Sequence, residues 1–267
     1  AGEDTVFAAE GGSWINGGGG NDNLNGGIGS DHILGGDGDD QITDVDGIDN
    51  FEAGTGADVV NLSSSDVFTS EFAARNTSTN DLISVEGMTR YSSVIDGGSG
   101  LDTLNLSDEA NGDAFFLHDS YSSIHQSLEA LDDGLGKQSV ARIISLETIN
   151  AGEGSDIIDL TSPTFNMAGV GVRINGEEGN DTLWGAEGDD TLNGGPGDDI
   201  LFGNNGLDIL IGGSGADIFE FVSGETNQTD TIQDYTSEDQ LKFYLAQNET
   251  KLTDNNIVNG DIVWGNL

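Results

Sequence analysis

Cysteine is absent from this 267-residue chain, so neither a disulfide nor a thiolate metal site can hold it together. Basic side chains are scarce, with 7 Lys and Arg against 49 Asp and Glu and a formal charge of −42, which excludes nucleic acid as a partner because phosphate backbones are bound by cations. No apolar run is long enough to span a bilayer, so membrane insertion is not expected. The first residues also lack the basic stretch and apolar stretch of a cleaved secretory signal. H-E-x-x-H and G-x-S-x-G are missing, and the carboxylates have another use set out below, so an enzyme is not expected.

Charge of one sign at this density repels itself and favours a loose chain. By itself it fits a halophilic or a disordered acidic protein equally well. The placement of the acidic residues argues otherwise. With only 2 Pro but 42 Gly, the chain repeats a nine-residue unit, G-G-x-G-x-D-x-U-x, where U is apolar. Clean copies are GGGGNDNLN at 17–25, GGIGSDHIL at 26–34, GGDGDDQIT at 35–43, GGSGLDTLN at 97–105, GGPGDDILF at 194–202 and GGSGADIFE at 212–220. Weaker ones include AGTGADVVN at 53–61, AGEGSDIID at 151–159, GEEGNDTLW at 176–184, GAEGDDTLN at 185–193 and GNNGLDILI at 203–211. Glycine lets the backbone turn at φ > 0, and positions 7 to 9 form a short strand with position 8 pointing inward. Position 8 is apolar in every copy, from Val6 and Ile15 to Leu210 and Phe219.

If two repeats make one coil of a flattened roll, alternate copies stack at the strand spacing of roughly 4.8 Å. Counting copies in this way puts Asp4, Asp22, Asp40, Asp58, Asp102, Asp156, Asp181, Asp199 and Asp217 in one column, with Asp31, Asp49, Asp190 and Asp208 in the other. Two carboxylates that close repel by about 3 kcal/mol at an effective dielectric near 20. A hard divalent cation reverses the sign. Calcium, which accepts carboxylate and carbonyl oxygens in loose geometry, suits these turns better than magnesium or zinc. The expectation is a monomer that binds on the order of ten calcium ions and folds only with them, since metal-binding free energy becomes folding free energy where no site exists beforehand. Such a chain belongs outside the cell, where calcium is plentiful. Gly2, Asp4 and Val6 fit positions 4, 6 and 8 of a repeat that begins before residue 1, so the chain reads as a piece of a longer one.

The spacing predicts an all-β fold: a single right-handed parallel β-roll over 1–225, interrupted by inserts at 62–87, 106–141 and 160–166 on one edge, and capped by strands within 226–267. After each insert the strand is kept but the Gly-Asp turn is lost, with Ser93, Glu147 and Val172 at position 6. Ser13 and Thr226 depart in the same way, and Glu147 is a candidate to replace Asp. Long inserts on one face of a solenoid are usual places for binding, although they equally fit plain surface decoration. Five of the seven basic residues, Arg75, Arg90, Lys137, Arg142 and Arg173, fall within 62–175 and suggest an anionic group such as a carboxylate to be met, or else they neutralise acidic neighbours. Within 106–141, Ser122 or Ser123 caps a short helix running to about Asp133. Phe115, Phe116, His118 and Tyr121 sit before it among Asp108, Asp113 and Asp119, as a ligand pocket or as the insert's own small core. His118 and His125 have no partner at metal spacing and read as ordinary polar residues. A flat Thr ladder for ice binding is not indicated, because no outward column is consistently Thr.

The repeats, together with D-x-I-x-D-Y at 230–235, resemble RTX (repeats-in-toxin) proteins exported by type I secretion from bacteria. The inserts, with ISLETINAGEGSDIIDLTSP at 144–163 and NDTLWGAEGDDTLNGG at 180–195, are similar to the C-terminal peptide-binding region of large RTX adhesins. That resemblance implies calcium at the thirteen Asp residues named above and a secreted or cell-surface module that attaches cells or biofilms by gripping an extracellular peptide, protein or glycan. Its ligand residues would be Arg90, Phe116, His118, Asp119, Tyr121, Arg142, Thr161, Ser162 and Arg173. RTX rolls also serve secreted toxins and hydrolases as calcium-triggered folding cassettes, the alternative reading.

Overall fold

The computed structural model describes residues 2–8, 10–68, 73–75, 82–91, 93–107, 110–117, 143–161, 167, 171–222 and 229–244. No helix occurs among these residues, and every strand but two pairs in parallel. The front sheet has ten strands in the order β1 (Thr5–Phe7), β3 (Asn23–Asn25), β5 (Gln41–Asp44), β7 (Val59–Leu62), β12 (Thr103–Asn105), β15 (Thr148–Asn150), β17 (Arg173–Asn175), β19 (Thr191–Pro196), β21 (Ile209–Ser214) and β23 (Thr231–Ile232). The rear is divided. One sheet orders β2 (Trp14–Gly19), β4 (His32–Asp37), β6 (Asn50–Gly56), β11 (Val94–Gly100) and β14 (Ile143–Ile144). The other orders β10 (Thr89–Arg90), β13 (Asp113–Phe116), β16 (Ile157–Asp159), β18 (Thr182–Trp184), β20 (Ile200–Phe202), β22 (Ile218–Val222) and β24 (Gln240–Tyr244). A small antiparallel pair, β8 (Ala73–Arg75) and β9 (Leu82–Ser84), lies in the first insert.

Each repeat places one apolar residue inward, and the register stacks them: Val6, Leu24, Ile42, Val60, Leu104, Ile149, Ile174, Leu192, Leu210 and Ile232 on the front sheet. Facing them from the rear are Ile15, Ile33, Phe51, Ile95 and Ile143, then Phe115, Ile158, Leu183, Leu201, Phe219 and Leu241. Most of these join one continuous hydrophobic cluster. Turns close this tightly only with glycine. Gly179 has φ 145°, and a Cβ there would collide with the carbonyl oxygen of Gly154 in the coil beneath.

The front sheet carries the roll through every interruption. Along its outer surface the side-chain amides of Asn105, Asn150 and Asn175 donate in turn to Asn61, Asn105 and Asn150 at 2.7–2.8 Å, a ladder that crosses all three inserts. The rear sheet forks instead. Residues 89–90 pair with β13, while residues 94–100, a few positions on, pair with β6 and β14.

The fork corrects the expected insert map. Residues 106–141 are not a pure excursion, because Asp113–Phe116 is a strand with Phe115 at the inward position, 0% exposed, in register with Ile158. The described stretch ANGDAFF at 110–116 is a half coil with Asn111 where the repeat has its position 4 glycine, and in the sequence Asp-Glu stands before it in place of the glycine pair. That half coil reverses the alternation of copies after Asp102. Nor do the inserts leave from one edge: 62–87 follows front strand β7, whereas 160–166 follows rear strand β16. The short helix expected from Ser122 or Ser123 and the strand at 255–264 lie outside the described residues. Instead of a separate cap, β23 and β24 extend the front and rear sheets by one more layer.

The two broad faces differ in kind. Outward positions of the front sheet are polar over most of its length, including Thr103, Thr148, Arg173 and Thr191 beside the Asn ladder. On the second rear sheet the outward residues Ala114, Phe116, Ile157, Trp184 and Phe202 are buried, and Phe68, Val85 and Met88 of the first insert pack with them. Phe68 meets Phe116 edge-on, with ring centroids 6.4 Å apart.

Candidate calcium columns and ligand face

Repeats that carry Asp at position 6 place it just before a strand, and within each column the carboxylate accepts a backbone N–H from the preceding coil. On the front edge the amides of Asp4, Asp22, Asp40 and Asp58 donate to Oδ1 of Asp22, Asp40, Asp58 and Asp102 at 2.7–2.8 Å. The Asp102 amide then donates to Oε2 of Glu147 at 2.7 Å. The column resumes as Val172, Asp190, Asp208 and Asp230, with each backbone N–H given to the next carboxylate. The first rear column runs Ser13, Asp31, Asp49 and ends on the Ser93 hydroxyl. The second rear column runs Asp113, Asp156, Asp181, Asp199, Asp217 and Asp239.

All thirteen expected Asp residues therefore stand in a column, but the grouping differs from the count of alternate copies. Asp102 continues to Glu147, Asp190 and Asp208, not to Asp156. Asp156, Asp181, Asp199 and Asp217 belong to the opposite edge, behind Asp113. The reason is the half coil at Asp113, whose missing glycines hid it. Asp113, Asp230 and Asp239 escape the nine-residue count, which puts Thr226 at position 6 as a departure from the pattern. All three share a signal that needs no glycine, the triplet Asp-x-apolar in DAF, DTI and DQL.

The second carboxylate oxygen is the informative one. Oδ2 of Asp22, Asp31, Asp40, Asp58, Asp102, Asp156, Asp181, Asp199 and Asp208 is buried with no hydrogen-bond partner among the described residues. A cradle accompanies it. A Cβ placed on Gly17, Gly176 or Gly194 would touch Oδ2 of Asp22, Asp181 or Asp199, and also a glycine carbonyl oxygen of the next coil. Two acceptors facing one space without a donor form an arrangement that a cation satisfies and a hydrogen-bond network does not. The oxygen-only donor set matches calcium.

The RTX calcium-binding nonapeptide repeat family matches residues 1–33, 173–201 and 184–219, in four copies. Over those residues the chain carries RTX calcium-binding repeats. No curated protein matches it. RTX repeats are typical of proteins secreted by type I secretion, which implies an extracellular location.

In this RTX roll the column carboxylates are held away from water. Burial pushes Asp156 and Asp208 up to about 8, Asp199 to about 7, and Asp102, Asp181 and Asp190 to about 6, partly opposed by the backbone N–H each accepts. A carboxyl whose folded pKa lies above its unfolded value binds more protons when folded. Its stabilising contribution is complete below the unfolded value of about 3.9 and is lost as pH rises through the folded one. Protons therefore stand in partly for calcium. In EDTA the chain is expected to gain strand structure as pH falls from about 8 to 5, measured by circular dichroism; calcium-loaded chain should change little over that range. Equal disorder at both pH values would contradict these burials.

Of the four expected ligand residues that the structure describes, Arg90, Phe116 and Thr161 lie at the second rear sheet and Arg173 stands apart from them. Arg90 and Phe116 lie on the outer side of the second rear sheet, Arg90 level with Ala114, and Phe116 only 1% exposed within the apolar cluster. Phe116 is thus packing in this structure, and not an open pocket wall. Thr161 is buried beside that sheet and donates both its hydroxyl, at 2.6 Å, and its amide to Oδ1 of Asp159. Burial lifts Asp159 to about 7 against those two bonds. Arg173 is exposed on the front sheet, the opposite broad face. His118, Asp119, Tyr121, Arg142 and Ser162 lie outside the described residues.

Proposed function

We propose that this RTX roll is the calcium-dependent ligand-binding module of a secreted bacterial adhesin. It would hold an extracellular peptide or protein, through a terminal carboxylate where one is offered, and so attach a cell to a surface. The module is read as non-catalytic, its carboxylates being committed to cations. The observation that carries the reading is the unlike treatment of the two faces. The front sheet presents a half-buried polar ladder, while the second rear sheet turns an apolar outer surface to the first insert, with Arg90 and the Asp159–Thr161 pair around it. A roll that only drives folding has no use for such a surface. Within it the Trp184 indole N–H, fully buried, has no hydrogen-bond acceptor among the described residues, so a donor is available to an anionic group there.

The test is a screen of immobilised peptides, with free and amidated C-termini, and of glycans, each with calcium and with EDTA. Binding should require calcium, favour free C-termini, and fall by about tenfold or more on Arg90→Ala. Deleting 118–142, which spares the half coil at 113–117, should also weaken it. Ligand capture that survives chelation and both changes would end this reading, and absence of any capture would favour the folding cassette.

A further inference from the structure

One acidic residue breaks the repeat in the opposite sense from the others. Asp44 occupies position 1, where clean copies have glycine, and its side chain turns into the first rear column instead of away from it. Ligand oxygens of Asp31, Asp44 and Asp49 all lie within 4.8 Å of one another. Room for the third carboxylate comes from the coil beneath: a Cβ on Gly26 would sit 2.6 Å from Asp44 Oδ1 and 2.8 Å from Asp31 Oδ2. Those two oxygens have no hydrogen-bond partner among the described residues, although Asp44 is only 2% exposed and Asp31 3%.

We propose that Asp31, Asp44 and Asp49 form a cation site of a second type, richer in charge than the sites of the repeat and selective for the most highly charged hard cations. An ordinary repeat position sets a buried Asp Oδ2 against uncharged carbonyl oxygens. Here three carboxylates converge, and affinity in oxygen-ligand sites rises with the number of charged ligands. Two buried acceptors in it have no donor among the described residues, and the Asp44–Asp49 contact is a hydrogen bond only while the pair keeps a proton that a cation would displace. The site also stands at the root of the first insert. As the chain leaves β7, Ser63 donates its amide and hydroxyl to the Asp44 carbonyl at 3.1 and 3.2 Å, and the Ser65 hydroxyl donates to Asp46. A cation on Asp44 thus braces the point from which residues 62–87 depart.

Tb³⁺, a hard trivalent ion of calcium-like size, probes the site directly. It is titrated into the calcium-loaded full chain and followed by its own luminescence on direct excitation. The wild type should take up its first equivalent in a distinct tight step. In Asp44→Asn and in Asp44→Gly, the second of which restores the glycine of the repeat, that step should weaken by about tenfold or more, with an unchanged circular dichroism spectrum. Asp37→Asn, an exposed control, should match the wild type. Superimposable titrations of the wild type and both Asp44 variants would overturn the proposal. If Asp44→Asn proves unstable, Asp44→Gly alone decides, since glycine at this position is what the rest of the roll uses.

Discussion

Excess EDTA at neutral pH is expected to abolish the strand signal of this chain and expose it to proteases along the roll, and restored calcium should return both. The reason is arithmetic as much as chemistry. An ion present at a hundred times its dissociation constant stabilises the folded state by about 2.7 kcal/mol. Six such ions supply about 16 kcal/mol, more than the roughly 5–15 kcal/mol that separates a typical domain from its unfolded state. Removing them also leaves the orphaned Oδ2 atoms of Asp22 through Asp208 buried and unpaired, and a formal charge of −42 uncompensated. The thin apolar interior, one inward side chain per repeat, does not offset that. Circular dichroism with limited proteolysis makes the check, and a chain fully ordered in EDTA would contradict the calcium columns.

Phe115→Ala should cost about 3–5 kcal/mol in denaturant unfolding at saturating calcium, the loss usual for emptying a buried phenylalanine site. The side chain is 0% exposed, stacked in register on Ile158 and set edge-on to Tyr91 at 6.1 Å between centroids. The neighbouring groups are fixed from both sides, because the Tyr91 hydroxyl donates to Asp113 at 2.9 Å and the Asp113 amide donates to Asp156. Phe7→Ala, at a site 73% exposed, serves as the comparison and should change stability by no more than about 0.5 kcal/mol. A Phe115 variant as stable as the Phe7 variant would return residues 106–141 to the status of a surface loop and undo the grouping of the aspartates.

The ligand face shows how far residue types alone can lead. Arg90 and Arg173 look alike as scarce cations in an acidic chain, yet they are on opposite faces of the roll. Phe116 looked like a pocket aromatic, and packs against Phe68. Which side of a strand a residue takes depends on the phase of that strand, and before β13 the one glycine, Gly112, stands off the repeat's glycine positions and does not announce it.

What the sequence determined alone was everything local to one repeat: the turn that needs glycine, the strand with its inward position 8, and a carboxylate at position 6 that wants a cation. These follow from nine residues and from copying them, so they were legible from Asp4 to Asp217. The stacking partner of each aspartate was decided only by tertiary structure. Membership of a column depends on how many half coils lie between two copies. A single half coil built from Asp113, Ala114 and Phe115, held by pairing with β10 and β16 and turned at Gly112, off the repeat's glycine positions, moves Asp156 and all that follow to the other edge. Likewise Asp44 reads as a defect in the repeat until the coil beneath it shows the space left by Gly26. Contacts between coils, absent from any one repeat, supply that information.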